Sequence, residues 1–177
     1  EAGNIVPTAS TTSQLALGDA LAIATMKQRK FNKKDFKQLH PAGNLGAQLK
    51  TVEDIMLKDN AIPFVNEGLK IKDALRVLSS KKLGFLLVRD KKKLTKGLIS
   101  DGDLRRFSQK NKNLHNISVK EIMTKNPIGI DKNELAAKAL SLMNTKRITC
   151  LCVYDKKNKF KTIGVLHIHN ILQSNIF

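Results

Sequence analysis

The hydrophobic pattern of this chain describes one small unit and then describes it again. Leu69, Ile71, Ala74, Leu75 and Leu78 form an apolar stripe near helical spacing. Leu135, Ala136, Ala139, Leu140 and Met143 form its counterpart. Each stripe follows a short extended stretch, Ile62–Val65 in one case and Pro127–Ile130 in the other. Each precedes an apolar run with strand character, Gly84–Val88 and Cys150–Tyr154. A lysine-rich turn comes next, 90–93 against 155–158. A second strand runs through Gly97–Ile99 or Ile163–Leu166, and a closing helix starts near Asp101 or Ile168. The order β-α-β-β-α, given twice, predicts an α+β protein in which each copy leaves an apolar face for the other.

The identities follow the pattern. Val52–Met56 (VEDIM) recurs as Val119–Met123 (VKEIM), an offset of 67. Asp73-Ala74-Leu75 recurs as Lys138-Ala139-Leu140, and Lys82-Leu83-Gly84 as Arg147-Ile148-Thr149, at 65. Gly97–Ser100 recurs as Gly164–His167, with Asp103 opposite Asn170. The change of offset places small insertions in loops.

Composition narrows the classes. Of 177 residues, 41% are hydrophobic, which suits a globular protein. No apolar run reaches the roughly 18 residues that a membrane span needs, and no basic-then-apolar leader opens the chain, so a cytoplasmic protein without membrane contact is expected. The net charge of +17 invites a nucleic-acid reading. The lysines, however, come as short runs in turns, Lys33-Lys34, Lys81-Lys82, Lys91–Lys93 and Lys156-Lys157, without interleaved aromatics. They read as solvated surface, and no nucleic-acid partner is expected. Cys150 and Cys152 lie two positions apart on a strand, so they share a face and read as apolar thiols. Neither a further cysteine nor a nearby histidine completes a zinc set, so no metal or cofactor is expected. His167 and His169, two apart, would share a strand face, but two ligands do not make a metal site.

The run Gly97–Leu104 (GLISDGDL) resembles the closing signature of a CBS repeat. That resemblance implies two repeats paired about a pseudo-two-fold axis, with clefts that often take adenosyl nucleotides. A carboxylate accepts hydrogen bonds from both ribose hydroxyls, and Asp103 and Ser100 have the matching spacing where a strand meets a helix N-terminus. Arg105 and Arg106 could add positive charge. Ser100 and Asp101 also suit plain helix capping, and both readings stand at this point. In the second repeat His167 replaces the hydroxyl and Asn170 the carboxylate, so Asn170 is the weak candidate.

Residues 1–50 fall outside the repeat. Pro7–Thr12 reads as a polar turn, with Thr11 and Gln14 at capping-box spacing. The helix that follows, Leu15–Met26, is apolar on nearly every face and calls for cover on all sides, more than fifty residues can supply. Asp19, among these apolar neighbours, is expected to bond the backbone of the turn. The strings Pro7–Thr12 (PTASTT), Leu17–Ala22 (LGDALA) and Phe36–Gly46 (FKQLHPAGNLG), followed by a CBS pair, resemble arabinose-5-phosphate isomerases. The resemblance implies the C-terminal helical tail of an α/β phosphosugar-isomerase (SIS) domain at 1–50, with CBS repeats at 51–112 and 113–177. It implies aldose–ketose isomerisation between D-arabinose 5-phosphate and D-ribulose 5-phosphate, on the route to Kdo and lipopolysaccharide, in a homo-oligomer.

It also implies His40 as an active-site histidine and Glu1 as an active-site glutamate. Histidine suits the proton transfers of an enediol mechanism. The family's His-Pro-Gly-Gly reads His40-Pro41-Ala42-Gly43 here, which bears on the backbone only if Ala42 needs a positive φ. The Gly-rich, Ser-rich loop that would grip a sugar phosphate is not found before Pro7, and the first residue is Glu. The expectation is therefore a piece of a longer enzyme, inactive by itself. The rival reading is a free-standing nucleotide-sensing CBS module without catalysis.

Overall fold

The computed structural model describes residues 3–32, 35–36, 39, 44–110, 116–156, 158, 160–174 and 176. The chain divides into two compact units, Glu1–Gly46 and Ala47–Phe177. No described helix is long and apolar enough to cross a membrane.

In the first unit, helix α1 spans Ala9–Gln28 and buries none of its residues. Leu15, Leu17, Leu21, Ile23 and Met26 all stand exposed. The demand for cover read from the sequence is thus unmet among the described residues of its own unit. The helix also begins earlier than the pattern suggests. Thr8 occupies the cap position, and Thr11 and Thr12 lie inside the helix with their hydroxyls donating back to the Thr8 carbonyl at 2.9 and 3.0 Å. These short polar side chains satisfy themselves locally, so the supposed turn is the first turn of the helix, and Thr11 caps nothing. Asp19 accordingly lies exposed in mid-helix, away from any turn.

The elements that follow are α2 (Asn44–Gln48), α3 (Val52–Ile55), β1 (Leu57–Lys58), a 3-10 turn (Asp59–Ala61), β2 (Phe64–Asn66), α4 (Ile71–Lys81), β3 (Phe85–Arg89), β4 (Thr95–Ser100) and α5 (Asp101–Lys110). The second repeat gives α6 (Val119–Ile122), β5 (Thr124–Lys125), β6 (Gly129–Asp131), α7 (Ala136–Lys146), β7 (Cys150–Tyr154), β8 (Gly164–His167) and α8 (Ile168–Gln173). The hairpins and helices match the sequence expectation to within a residue or two. The opening strand of each repeat starts later than expected, after Pro63 and Pro127, since proline disfavours a ladder position.

The two four-stranded sheets run β2-β3-β4-β5 and β1-β8-β7-β6. Each repeat therefore completes the other's sheet. β1, from the first repeat, pairs antiparallel with β8, and β5, from the second, pairs antiparallel with β4. The crossing is locked by matched backbone bonds. Val52 N–H donates to the Glu134 carbonyl at 2.8 Å and Ala136 N–H to that of Lys50 at 2.9 Å. On the related side, Val119 N–H donates to Leu69 and Ile71 N–H to Ile117, both at 2.9 Å.

The recurring Ile-Met pairs act here. A side chain added at Gly97 would put its Cβ 2.6 Å from Met123 Sδ, and one at Gly164 would overlap Met56 Sδ. Each methionine occupies the space that the opposite repeat's strand glycine leaves. Thr95 and Thr162, 67 positions apart, hydrogen-bond to each other at 2.7 Å, so the pseudo-two-fold axis passes between them.

Three apolar clusters result. Val65, Ile71, Ala74, Leu86, Val88, Ile99 and Val119 form the core of the first repeat. Val52, Ile130, Ala139, Met143, Leu151, Val153, Leu166 and Ile171 are in that of the second. Val119 and Val52 are each contributed from across the axis. Ile62, Phe85, Leu87, Cys152 and Val165 join the two sheets face to face.

Gly164→Val should destabilise the chain by about 1–3 kcal/mol through overpacking against Met56. Adding Met56→Ala should recover part of that loss, so that the double variant is more stable than the sum of the singles. Urea unfolding of the four species measures the coupling.

Candidate functional site

Ser100 ends β4 and Asp103 lies in the first turn of α5, so the strand-to-helix junction brings both to one point. Ser100 N–H and Oγ both donate to Asp103 Oδ2, at 2.8 and 2.7 Å, and Asp103 N–H donates back to Ser100 Oγ at 3.2 Å. Arg106, one turn on, is bound to Asp103 Oδ1. The capping role is therefore real. It leaves acceptor capacity on Oδ1, because an ionised carboxylate offers about four lone-pair positions and three are taken. Burial pushes the Asp103 carboxyl up, but the bonds from Ser100 and Arg106 outweigh it and hold the group below its ordinary value of 3.8.

A cleft of about 390 Å³ opens beside this pair. Its far wall belongs to the other repeat, with Ile128, Arg147, Thr149 and Cys150 among the lining residues. Arg147 caps the end of α7 in the left-handed region, at φ 52°. Two arginines, a carboxylate and an apolar wall thus surround one space at a helix N-terminus. That arrangement suits a ligand with vicinal hydroxyls, a flat ring and an anionic group. Arg105 is exposed and does not line the cleft. The wall from the second repeat was missed in the sequence because it comes from across the axis. The alignment of Arg147 with Lys82 was its one signal.

Asn170 reproduces the capping geometry and little else. Its Oδ1 accepts from His167 N–H at 3.1 Å, while His167 Nδ1 accepts from His169 N–H at 3.3 Å. His167 and His169 do not share a strand face, because β8 ends at His167 and α8 begins at Ile168. The His167 ring stacks on Phe85, with centroids 6.4 Å apart and an interplanar angle of 7°. Phe85 stands where the second repeat has Cys150, each pairing with the last residue of its own hairpin, Ser100 or His167. Two rings therefore meet at the position where Ser100 and Cys150 leave a cleft. Burial first, and the neighbouring His169 second, hold the His167 imidazole below its ordinary pKa.

Cys150 is half-buried, Cys152 is buried, and both are free thiols. Burial raises them to about 12 and about 11, so neither is a nucleophile at neutral pH. Glu1, His40 and Ala42 lie outside the described residues.

A CBS domain model matches residues 52–110 and 119–175. The chain belongs to the CBS-domain family. Over 97% of its length it is 38% identical to the arabinose 5-phosphate isomerase KdsD of Yersinia pestis, and over 96% it is 42% identical to that of Francisella tularensis. It spans about half the length of these curated relatives, 52% and 51%. Among solved structures, a crystal structure of CBSX2 in complex with AMP is similar, at a TM-score of 0.60 and 26% identity, over 70% of this chain and 94% of that one. Two small sheets with flanking helices, one from each repeat but for the exchanged strands, are thus a CBS pair.

The lowered pKa of Asp103 has a consequence in acid. The unfolded carboxyl takes up its proton at higher pH than the folded one, so the stabilisation is present above about pH 4 and is lost as pH falls through the depressed value. Asp103→Asn should be less stable than the parent at neutral pH and should lose less further stability between about pH 5 and pH 2. Urea unfolding across that range reads the difference.

Proposed function

We propose that this chain is the C-terminal part of an arabinose 5-phosphate isomerase, whose CBS pair binds an adenosine nucleotide at the Ser100–Asp103 cleft and regulates the enzyme. The observation that carries the enzyme assignment is the alignment of nearly the whole chain, including residues ahead of the CBS pair, with about half of KdsD relatives at 38–42% identity. The exposed apolar face of α1 supports it, since such a helix needs cover from the rest of a catalytic domain or from a second copy in a homo-oligomer. On this reading the parent interconverts D-arabinose 5-phosphate and D-ribulose 5-phosphate for Kdo and lipopolysaccharide synthesis. A sugar-phosphate substrate and two free thiols suit a cytoplasmic setting. Residues 1–50 would be the end of the SIS domain, with the CBS repeats at 51–112 and 113–177.

His40 and Glu1 are the proposed catalytic residues on the strength of the motif alone. His40→Asn in the full-length parent should lower kcat by about 10²–10⁴-fold and leave the melting temperature nearly unchanged. An unchanged rate in a folded variant returns His40 to a structural role. Full isomerase activity in the 177-residue chain by itself would contradict its assignment as a partial enzyme. A parent with a CBS pair but no isomerase activity would favour the stand-alone sensor.

For the CBS pair, the open cleft with a charged acceptor is the nucleotide site, and the CBSX2 complex makes AMP the first probe. Asp103 can accept both ribose hydroxyls, the helix N-terminus and Arg106 and Arg147 favour the phosphate, and Cys150 and Ile128 offer a wall to the base. Asn170 lacks the charge, and His167 with Phe85 takes up the space. Calorimetric titration with AMP should show one site, most of its affinity lost in Asp103→Ala and little changed in Asn170→Ala. Two equal sites, or loss only in Asn170→Ala, would reverse the assignment.

A further inference from the structure

A second cleft, of about 480 Å³, lies at the other end of β7, away from Ser100. It is lined by Gly129 and Asp131 of β6, Glu134, Lys138 of α7, Tyr154 and Lys156. Asp131 is 4% exposed. Its Oδ1 accepts from the Asn133 backbone at 2.9 Å and from the Asn133 amide at 3.1 Å, while its Oδ2 is buried with no hydrogen-bond partner among the described residues. A buried carboxylate oxygen without a donor is costly, and such an atom at a cleft calls for a donor from outside.

The two repeats differ at both residues that shape this cleft, the glycine and the carboxylate. At the equivalent position of the first repeat, Phe64 stands where Gly129 does, and the Arg89 guanidinium lies 4.7 Å over its ring. Asn66, exposed and neutral, stands where Asp131 does. The first repeat thus carries an aromatic ring in place of the glycine and a neutral amide in place of the acid. In the second, a glycine makes the room. A side chain at Gly129 would meet the Tyr154 ring at 3.0 Å, so the tyrosine lies over the glycine at the edge of the opening.

The surrounding groups choose the ligand. Asp131 Oδ2 needs a hydroxyl or amine donor. Glu134 is occupied by Lys138 at 3.0 Å, and Lys156 adds a further positive charge on a chain of net charge +17. An amine is therefore repelled at long range and an anion drawn in. The Tyr154 ring offers a flat apolar face of the kind a sugar ring rests on, and the volume is in the range of small-ligand sites. We propose that this cleft binds a small hydroxyl-rich anion of the sugar-phosphate class, with its hydroxyls on Asp131 and its anionic group toward Lys138 and Lys156. The terminal torsion of an aspartate is broad, so ligand binding is expected to turn the carboxylate and bring Oδ2 toward the opening. The site is separate from the nucleotide cleft and does not depend on it.

The sequence supplies the probe. Tyr154 is the chain's only tyrosine, and there is no tryptophan, so tyrosine emission reports on this residue, and the Asp131→Asn variant ties a change in it to this cleft. D-ribose 5-phosphate, D-ribose and inorganic phosphate are titrated separately against the 177-residue chain, with emission and calorimetry read together. Ribose 5-phosphate should give a saturable change in Tyr154 emission, stronger than that of either fragment. Asp131→Asn should weaken it by at least about tenfold, the loss of one charge-assisted hydrogen bond, while melting no lower than the parent. Lys156→Gln, an exposed substitution that leaves the fold alone, should weaken ribose 5-phosphate and phosphate but not ribose. AMP binding should be unchanged in both variants. The proposal is overturned if ribose 5-phosphate gives no saturable change, if phosphate alone binds as well, or if both variants bind like the parent.

Discussion

The whole CBS pair depends on two methionines seated on two glycines. Met56 fills the space above Gly164, and Met123 the space above Gly97. A β-strand with glycine at this point presents bare backbone, and a thioether is flexible and polarisable enough to fit it closely. Because each methionine sits at the end of a short helical turn from the opposite repeat, the fit carries that segment across the axis. It brings Val52 into the second core and Val119 into the first. Neither repeat has a complete sheet or a complete core alone. Association of the two is then part of folding rather than a later docking of finished units.

How much of this was legible follows from what sets each feature. Helices α4 and α7 and hairpins β3-β4 and β7-β8 are local, and their periodicity and turn residues declare them. The strand exchange is not local. The repeated Ile-Met and the repeated glycine were visible as identities, but the sequence does not say that each contacts the other copy's partner. The Ser100–Asp103 cap was legible because capping has a fixed local spacing, which the proposed ribose contact shares. Arg147, Thr149 and Cys150 were not, because they reach the cleft from the second repeat. Thr11 misled because a threonine bonds a carbonyl three or four residues back as readily as it caps. His167 and His169 misled because the strand ends between them, so their nearness has a helical origin.

The capping box at Ser100 is compatible with the proposed nucleotide binding. In ordinary caps the carboxylate at the third helical position only reaches back to a backbone N–H. Here the same group is held on one oxygen by Ser100 and on the other by Arg106, an exposed side chain that can turn toward a ligand phosphate. The acceptor is fixed in place before any ligand arrives, which lowers the ordering cost of binding. The second repeat keeps the fixed geometry through His167 and Asn170 but replaces the charge with an amide. A cap has been preserved where the acceptor strength has not.

Duplication gives two copies of every surface, and two aromatic residues of the first repeat distinguish the copies beside the two clefts. Phe85 and Phe64 lie on the first repeat's strands β3 and β2. Their counterparts in the second repeat are Cys150 and Gly129. Phe85 stacks on His167 at the counterpart of the Ser100 cleft, and Phe64 lies under Arg89 at the counterpart of Gly129. Both open clefts accordingly border β7, one at Cys150 and one at Tyr154, which alternation puts on the same sheet face with buried Cys152 between them. That face is packed against the first repeat through Ile62, Phe85 and Leu87. Ligands at the two proposed sites would therefore both border the strand that packs against the other repeat, at its opposite ends.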